Sequence, residues 1–323
     1  MVYLEIYSTD LVSFWDSFVD KSKNGTFLIR RSYMDYHKDR FKDLSLVFYN
    51  SKHHMCGVFP ITVDVKNGIA SSHNGLTYGG LVILPNTEYD QVSEMLNKSL
   101  GFLRRNGITE FYYKPIPYIY HKYPSQEDLY WLYVNGSNLY SRSISSVIDL
   151  NNSIPFSALR LRKIKKAMES NGLELSVCDA SENPQLWKSY WKLLCNILSE
   201  RHNTSPVHTY EEISYLQHKN SRDIKLYIIF DKYKQEILAG VVAYETDLVM
   251  HCQYIASSDV GFKFNALDFL FNWMIDSAKS RFRYFDFGVS TEQNGLFLNN
   301  GLLFQKQGFG GRGICYDTYK LLL

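Results

Sequence analysis

The chain has 323 residues, 45% of them hydrophobic, which is enough apolar material for two domains of ordinary size. Its 35 Lys and Arg residues nearly balance its 33 Asp and Glu residues, so a formal net charge of +2 gives no reason to expect a nucleic-acid or membrane surface. The five scattered cysteines never form a C-x-x-C pair, and no apolar run approaches the ~20 residues of a membrane span. We therefore expect a cytoplasmic protein without a signal peptide, a membrane span or a metal site.

The first half of the chain predicts a helix, several strands, a second helix and an aromatic strand. Apolar residues at helical spacing predict an amphipathic helix over residues 10–23. The Asn67-Gly68 pair is a strong signal for a hairpin turn. The remaining predictions are strands over 44–50, 54–65 and 76–83, a helix over 87–107, and an aromatic strand over 108–117.

A group of aromatic and basic residues lies between the first helix and the first of these strands. If Tyr33, Tyr36, His37 and Arg40 are helical, their spacing of i, i+3, i+4 and i+7 places them on one face. An aromatic stripe at that spacing usually belongs to a core. Because His and Arg are costly to bury without partners, we favour a substrate-binding face, with Tyr36, His37 and Arg40 as its contacts.

The second half repeats the order of elements of the first half, although not its residues. Three strands joined by short connections are predicted over 225–231, 237–245 and 248–257. A helix then begins near Asn265, where Asp268 would complete a capping-box-like start, and a short strand ends at Gly288. This duplication predicts two fused α/β domains with mixed sheets, over residues 1–150 and 151–323.

A dense basic segment opens the second half. Arg160 and Arg162 begin it, and three lysines follow within four residues. Such a charge run is usually a solvated helix face, and the alternative is a site for an anionic substrate. We include Arg160, Arg162 and the more distant His208 among the candidate substrate-binding residues.

The last part of the chain carries the motifs that resemble a known family. The motifs are DFGVSTE (286–292), LNNGL (298–302) and QKQGFGGRG (305–313). Together they resemble the end of the Fem-type, or FemABX-like, branch of the GNAT acyltransferases, whose F-K-x-x-F-G motif is matched by Lys306, Phe309 and Gly310. Gln305 stands where that family usually has an aromatic residue. The likeness is closest to bacterial GNAT proteins found with surface-polysaccharide genes, and it implies two tandem GNAT-like domains, a double GNAT fold.

The resemblance also implies where an acyl donor would bind. GNAT folds hold the pyrophosphate of acyl-coenzyme A, commonly acetyl-CoA, at the end of the fourth strand and the following loop. Here that stretch runs from residue 255 to residue 265, and it departs from the usual Q/R-x-x-G-x-G/A pattern. The cofactor-binding candidates in it are Ile255, Ser257, Gly261 and Asn265.

Four ionisable residues are candidates for catalysis. Glu292 is the preferred general base because it lies on a loop past a strand end, and His251 could relay a proton near neutral pH. The alternative for His251 is a hydrogen-bonded core histidine. The resemblance implies that Lys306 stabilises developing negative charge. Asp286 could either take part in the chemistry or anchor the loop through hydrogen bonds.

These observations favour an N-acyltransferase that moves an acyl group from acyl-CoA to an amine. The amine would be a small or carrier-linked substrate, such as an amino sugar on a nucleotide or lipid carrier. The first domain would bind this acceptor, and the second would carry the chemistry. The basic segment leaves open an aminoacyl-tRNA-dependent ligase of the same fold, although the near-neutral net charge opposes a large RNA footprint. The degenerate loop leaves open a non-catalytic binding protein.

Overall fold

The computed structural model describes residues 1–169, 175–231 and 236–323, which form two compact units. Helices and strands alternate in both units, and the predicted α/β class is confirmed. The first unit comprises Met1–Ile144, Thr291–Phe297 and Ile314–Leu323, and the second comprises Ser145–Ser290 and Leu298–Gly313. The assignment of acceptor binding to the first part of the chain and catalysis to the second stays a prediction.

The first unit combines short strands with four helices. Its strands are β1 (Val2–Ile6), β2 (Lys42–Asp43), β3 (Leu46–Asn50), β4 (Met55–Phe59), β5 (Thr62–Asp64), β6 (Ile69–Ser71), β7 (Val82–Ile83) and β8 (Glu110–Tyr113). Its helices are α1 (Val12–Lys21), α2 (Arg31–Met34), α3 (Tyr89–Arg105) and α4 (Glu127–Val134). The next strand, β9 (Asn138–Asp149), begins in the first unit and ends in the second.

Two groups of paired strands build the first unit. Strands β1, β3, β4 and β7 form an antiparallel sheet in that order, whereas β8 pairs parallel to β6. The apolar face of α3 contributes Met95 and Leu96 to a core that also contains Phe48 and Phe59. The helical spacing of apolar residues in the sequence therefore predicted this packing face correctly.

Two elements of the first unit differ from their predictions. The predicted helix through Tyr33 and Arg40 is only the single turn α2, followed by a 3₁₀ turn at Asp35–His37, so Arg40 does not share a helical face with Tyr33. The predicted strand over 54–65 is divided into β4 and β5 at Pro60, which has no N–H for a strand ladder.

The second unit is built on longer strands. Its helices are α5 (Ala158–Met168), α6 (Pro184–His202), α7 (Tyr210–Lys219), α8 (Asp259–Lys263), α9 (Ala266–Ala278) and α10 (Asn300–Gly308). The strands that follow β9 along the chain are β10 (Leu175–Asp179), β11 (Ile224–Asp231), β12 (Glu236–Glu245), β13 (Val249–Ser257), β14 (Tyr284–Val289), β15 (Thr291–Glu292), β16 (Phe297–Leu298) and β17 (Arg312–Leu322). Of these, β15 and most of β17 belong to the first unit.

The strand order of the second unit places the end of β13 beside β14. Strands β10, β11, β12 and β13 are antiparallel neighbours, and β14 lies between β13 and β9. The β13–β14 pair is parallel, because the chain returns through α8 and α9 between the two strands. Their register ends with His251 opposite Asp286, and β13 then continues to Ser257.

Three local predictions in the second unit are wrong. The stretch before Asn265 contains the short helix α8 rather than only a loop. Asn265 precedes α9 in the left-handed region with φ of 55°, and its side chain makes no capping hydrogen bond to the helix. The glycines on either side of Lys306 favour a loop, but Lys306 lies on α10, whose N-cap Asn299 accepts a hydrogen bond from Leu302 N.

Candidate active site

The centre of the candidate site is a histidine–carboxylate pair on adjacent parallel strands. His251 Nδ1 lies 2.9 Å from Asp286 Oδ2, where the β13–β14 register ends. The Asp286 side chain is 0% exposed, whereas His251 is 15% exposed. An ionised carboxylate can only accept hydrogen bonds, so this contact makes Nδ1 the protonated nitrogen and leaves Nε2 as the acceptor of the ring.

Asp286 also fixes the turn that follows β14. Gly288 N donates to Asp286 Oδ1 at 2.8 Å, and the Ser145 hydroxyl donates to the same oxygen. Gly288 has φ of 78°, a backbone conformation that favours glycine. Asp286 therefore anchors the loop, as one of its two predicted roles requires, and it also orients His251.

Lys306 reaches the same turn from α10. Its Nζ donates to the carbonyl oxygens of Gly288 at 2.7 Å and Val289 at 2.8 Å, and the residue is 4% exposed. Burial lowers the pKa of Lys306 from 10.5 to about 8, and the negative charge of Asp286 partly opposes this shift. Two of its three N–H groups thus hold the loop, and its catalytic role stays a prediction.

Glu292, the other candidate base, belongs to the first unit. It lies on the two-residue strand β15, and its side chain is exposed. The imidazole of His251, in contrast, is held in place by the buried carboxylate of Asp286. His251 is therefore the better-supported base of the two, and the role of Glu292 stays a prediction.

The four predicted cofactor residues line one cavity in the second unit, with a volume of about 240 Å³. They come from the end of β13, from α8 and from the start of α9. Basic side chains from two other helices, α5 and α6, complete its wall. The predicted residues are Ile255, Ser257, Gly261 and Asn265, and the basic residues are Arg160, Lys163 and Arg201.

Close backbone packing shapes this cavity. A Cβ atom on Gly261 would lie 2.0 Å from the carbonyl oxygen of Leu238, so α8 can approach β12 only because residue 261 is glycine. The Ser258 hydroxyl accepts from Gly261 N at 3.0 Å and donates to the Leu238 oxygen at 3.2 Å. The side chain of Ser258 therefore caps the start of α8.

The two candidate arginines of the basic segment lie in different environments. Arg160 is buried and forms an ion pair with buried Asp268, with 2.5 Å between Arg160 Nη1 and Asp268 Oδ1. Arg162 is exposed. The segment is therefore not one solvated face, since Arg160 joins α5 to α9, and the substrate-binding role of Arg162 stays a prediction.

His208 lies away from these residues along the second unit. Its Nδ1 is 2.5 Å from Tyr254 Oη, and its ring is buried. It lines a separate cavity of about 680 Å³ between α6 and the start of α7, together with Trp191 and Tyr210. The structure therefore does not bring His208 to the cavity of the cofactor candidates.

The three substrate-binding candidates of the first unit lie close together. The rings of Tyr36 and His37 have centroids 4.6 Å apart, and the Arg40 guanidinium lies 5.1 Å from the centroid of the Tyr36 ring. His37 is buried, Tyr36 is half-buried and Arg40 is exposed. This cluster presents a cation at its surface, and its binding role stays a prediction.

Sequence reasoning missed two contributors to these sites. Ser145, which donates a hydrogen bond to Asp286, lies in β9, a strand that the sequence patterns did not predict. The sequence signal that could have indicated it is a pair of serines directly before an apolar run. Arg201 comes from the end of α6 and reaches the cavity only through tertiary packing. Long-range packing of this kind leaves no local pattern in the sequence.

In the described part of the chain, no helix is long and apolar enough to cross a membrane. Among residues 1–169, 175–231 and 236–323, no three His, Cys, Asp or Glu side chains are grouped so that they could hold a metal ion.

Comparison with known proteins gives matches in structure only. No protein-family model matches the chain, and no curated protein matches its sequence. FemX is similar over 99% of this chain and 97% of its own, with a TM-score of 0.69 and 11% identity. L-PGS from Bacillus licheniformis is similar over 98% of this chain and 92% of its own, with a TM-score of 0.62 and 14% identity.

A third similar structure is a tandem GNAT protein from the clavulanic acid biosynthesis pathway. It covers 100% of this chain and 98% of its own, with a TM-score of 0.53 and 8% identity. Likeness at such low identity shows the fold alone. At that level it confirms the double GNAT-like fold expected from the sequence motifs, because all three structures align over nearly the whole chain.

Proposed function

This chain has the double GNAT fold of FemABX-like proteins, and we propose that it is an N-acyltransferase that uses an acyl-CoA donor. The observation that carries this proposal is the His251–Asp286 pair, whose histidine lies on β13, the strand that also lines the 240 Å³ cavity with Ile255 and Ser257. The half-buried residues of β13 include His251, Ile255 and Ser257. A register shift against β12 lies between His251 and Ile255, so the base and the donor pocket share one strand but not one face of the sheet.

The chemistry assigned to His251 is removal of a proton from the attacking amine. Asp286 holds Nδ1–H, so Nε2 can take the proton while the amine nitrogen forms a bond to the acyl carbon. The carbon–sulfur bond of the thioester then breaks, and the proton passes from His251 to the leaving thiolate. Lys306 is the proposed source of positive charge for the transient oxyanion, with one N–H beyond its two loop contacts.

Charged side chains around the cavity support an anionic donor. Lys163 and Arg201 line it from helices α5 and α6, whereas Arg160 is already paired with Asp268. We assign the phosphates of acyl-CoA to Lys163 and Arg201. Arg201 is ion-paired with Asp259, but that carboxylate is exposed, so a phosphate can replace it more readily than it can replace the buried partner of Arg160. The proposed acyl group is acetyl.

The proposed acceptor is an amine on a small or carrier-linked molecule, such as an amino sugar. Tyr36, His37 and Arg40 support this proposal, because an aromatic surface with one exposed guanidinium suits a sugar joined to a phosphate. A second candidate function is transfer from aminoacyl-tRNA, which the basic lining of the cavity also favours. The net charge of +2 weighs against the many phosphate contacts that RNA binding needs.

The test incubates the purified chain with acetyl-CoA and a panel of amino sugars and nucleotide-linked amino sugars. Mass spectrometry would follow the acetylated product, and a thiol reagent would follow release of coenzyme A. We expect both to form together, and a His251→Gln variant to lose product while keeping coenzyme A affinity. Product formation only with aminoacyl-tRNA would establish the second candidate. Absence of binding to coenzyme A, acyl-CoAs and tRNA would overturn both and favour a non-catalytic binding protein.

A further inference from the structure

One polar residue at the candidate site has no role in the mechanism above. Ser145 lies on β9 directly opposite Val289 of β14, and it is 0% exposed. Its hydroxyl donates to Asp286 Oδ1. The contact gives the hydroxyl of this buried serine the partner that burial of a polar group calls for, and it places that hydroxyl against the carboxylate that holds His251.

Hydrogen bonds from three directions converge on the Asp286 carboxylate. Ser145 and Gly288 N donate to Oδ1, and His251 Nδ1 donates to Oδ2. A fully buried carboxylate is stable in its charged form only when donors replace the lost water. The two donors on Oδ1 also prevent the carboxylate from rotating, so Oδ2 stays directed at the imidazole.

We propose that Ser145 is a positioning residue that acts on His251 through Asp286. The hydroxyl holds part of the carboxylate charge on Oδ1, and this limits how strongly Oδ2 favours the protonated imidazole. His251 is thereby kept as a base that can release the proton it has accepted. Ser145 is not a nucleophile in this arrangement, because its O–H is directed at Asp286. The kinetic consequence rests on the proposed function, whereas the effect on His251 does not.

Other groups also act on this pair. Lys306 and the thiol of Cys252 interact electrostatically with Asp286, and Tyr244 lies opposite His251 on β12. All three residues are kept in the variants of Ser145 and Ser146. The neighbouring Ser146 provides a matched control, because it is on the same strand and equally buried, yet its hydroxyl has no hydrogen-bond partner among the described residues.

The experiment is an NMR titration of the full chain carrying isotope-labelled histidine. His251→Gln identifies the His251 signal. In Ser145→Ala, loss of a donor concentrates negative charge on Oδ2, and we expect the pKa of His251 to rise by roughly half a unit or more. Ser146→Ala should leave it at the wild-type value. Ser145→Thr, which retains the hydroxyl, should restore it.

The pKa of His251 in the folded variants decides the proposal. An unchanged or lowered pKa of His251 in folded Ser145→Ala would overturn it. If the alanine variant does not fold, Ser145→Cys replaces the hydroxyl with a weak donor and should raise the pKa of His251 in the same direction. No substrate is needed, so a chain inactive towards every acyl donor would end the proposed function and leave this inference standing. With a substrate, we expect Ser145→Ala to lower kcat while KM is kept, and to shift the acid limb of the pH profile with the pKa of His251.

Discussion

At the scale of single residues, Lys306 combines a predicted catalytic role with an observed structural one. The sequence motif implies that it stabilises negative charge in the transition state. In the structure its ammonium is buried and bonded to the carbonyl oxygens of Gly288 and Val289, beyond Asp286. The two roles differ in what they change, since one affects kcat and the other affects the free energy of unfolding.

The catalytic role predicts a loss of rate. Lys306→Met should lower kcat by ~10²-fold or more, because a positive charge near a developing oxyanion is removed. The measurement is steady-state kinetics with an amine substrate identified by the acetylation assay, and circular dichroism would check that the variant is folded. A folded variant with wild-type kcat would remove Lys306 from the mechanism.

The structural role predicts a dependence of stability on pH. The pKa of Lys306 is about 8 in the fold, against its ordinary value of 10.5 in an unfolded chain, so the folded state releases its proton first. The contribution of Lys306 to the free energy of unfolding therefore rises with pH between those two pKa values and is constant well below pH 8. Relative to Lys306→Met, the wild-type free energy of unfolding should rise from pH 8 to 9 by at most about 1.4 kcal/mol.

Urea unfolding of both proteins from pH 7 to 9 measures this difference. Ionisation of cysteines and tyrosines affects both proteins alike and cancels in the comparison. If the difference in free energy of unfolding between the two proteins stays constant from pH 7 to 9, burial does not lower the pKa of Lys306.

At the scale of elements, apolar periodicity and aromatic runs predicted some strands and helices and missed others, among them the 12-residue strand β9. The apolar stripe of α3 and the aromatic run of β14 carry their own signal. Helix α10 does not, because Gly301 and Gly308 near its ends resemble loop residues. The burial of Arg160 could not be predicted either, since its partner Asp268 lies more than a hundred positions along the chain.

Two glycines of the second unit should respond in opposite ways to alanine. Gly261→Ala would force α8 away from Leu238, and we expect a loss of about 2 kcal/mol or more. Gly301 is exposed on α10, and a Cβ atom there would make only an ordinary contact. Gly301→Ala should therefore stabilise the fold by about 0.5–1 kcal/mol. Chemical denaturation measures both changes, and equal effects would mean that the close approach of α8 is not required.

The ion pair between α5 and α9 gives a second comparison within one helix. Arg160→Ala leaves the Asp268 carboxylate buried without its cation, and we expect it to cost about 3–5 kcal/mol. Arg162→Ala removes an exposed cation from the same helix and should stay within about 0.5 kcal/mol of wild type. Thermal and urea unfolding give the values. A small effect of Arg160→Ala would mean that Asp268 takes up a proton or finds another partner.

At the scale of the whole molecule, the order of elements along the chain conceals which segments pack together. The predicted halves meet at residue 150, whereas the first compact unit also includes Thr291–Phe297 and Ile314–Leu323. Strand β17 pairs with β8 through Tyr319 to Leu322, and Leu321 is 3% exposed in the core of that unit. A duplicated order of elements predicts two units, but it does not reveal that the chain returns to the first.

This arrangement predicts that residues 1–150 do not fold alone. Such a polypeptide lacks β17, so the backbone of β8 loses its antiparallel partner and the apolar core loses Leu321. We expect no cooperative urea transition and a tendency to aggregate.

Joining residues 312–323 to the carboxyl end of this polypeptide through a Gly/Ser linker supplies the missing strand, and we expect cooperative unfolding to return. A matched fusion with Leu321→Asp, which places a charge in the core, should fail to restore it. If residues 1–150 unfold cooperatively without β17, the first unit is complete without the end of the chain.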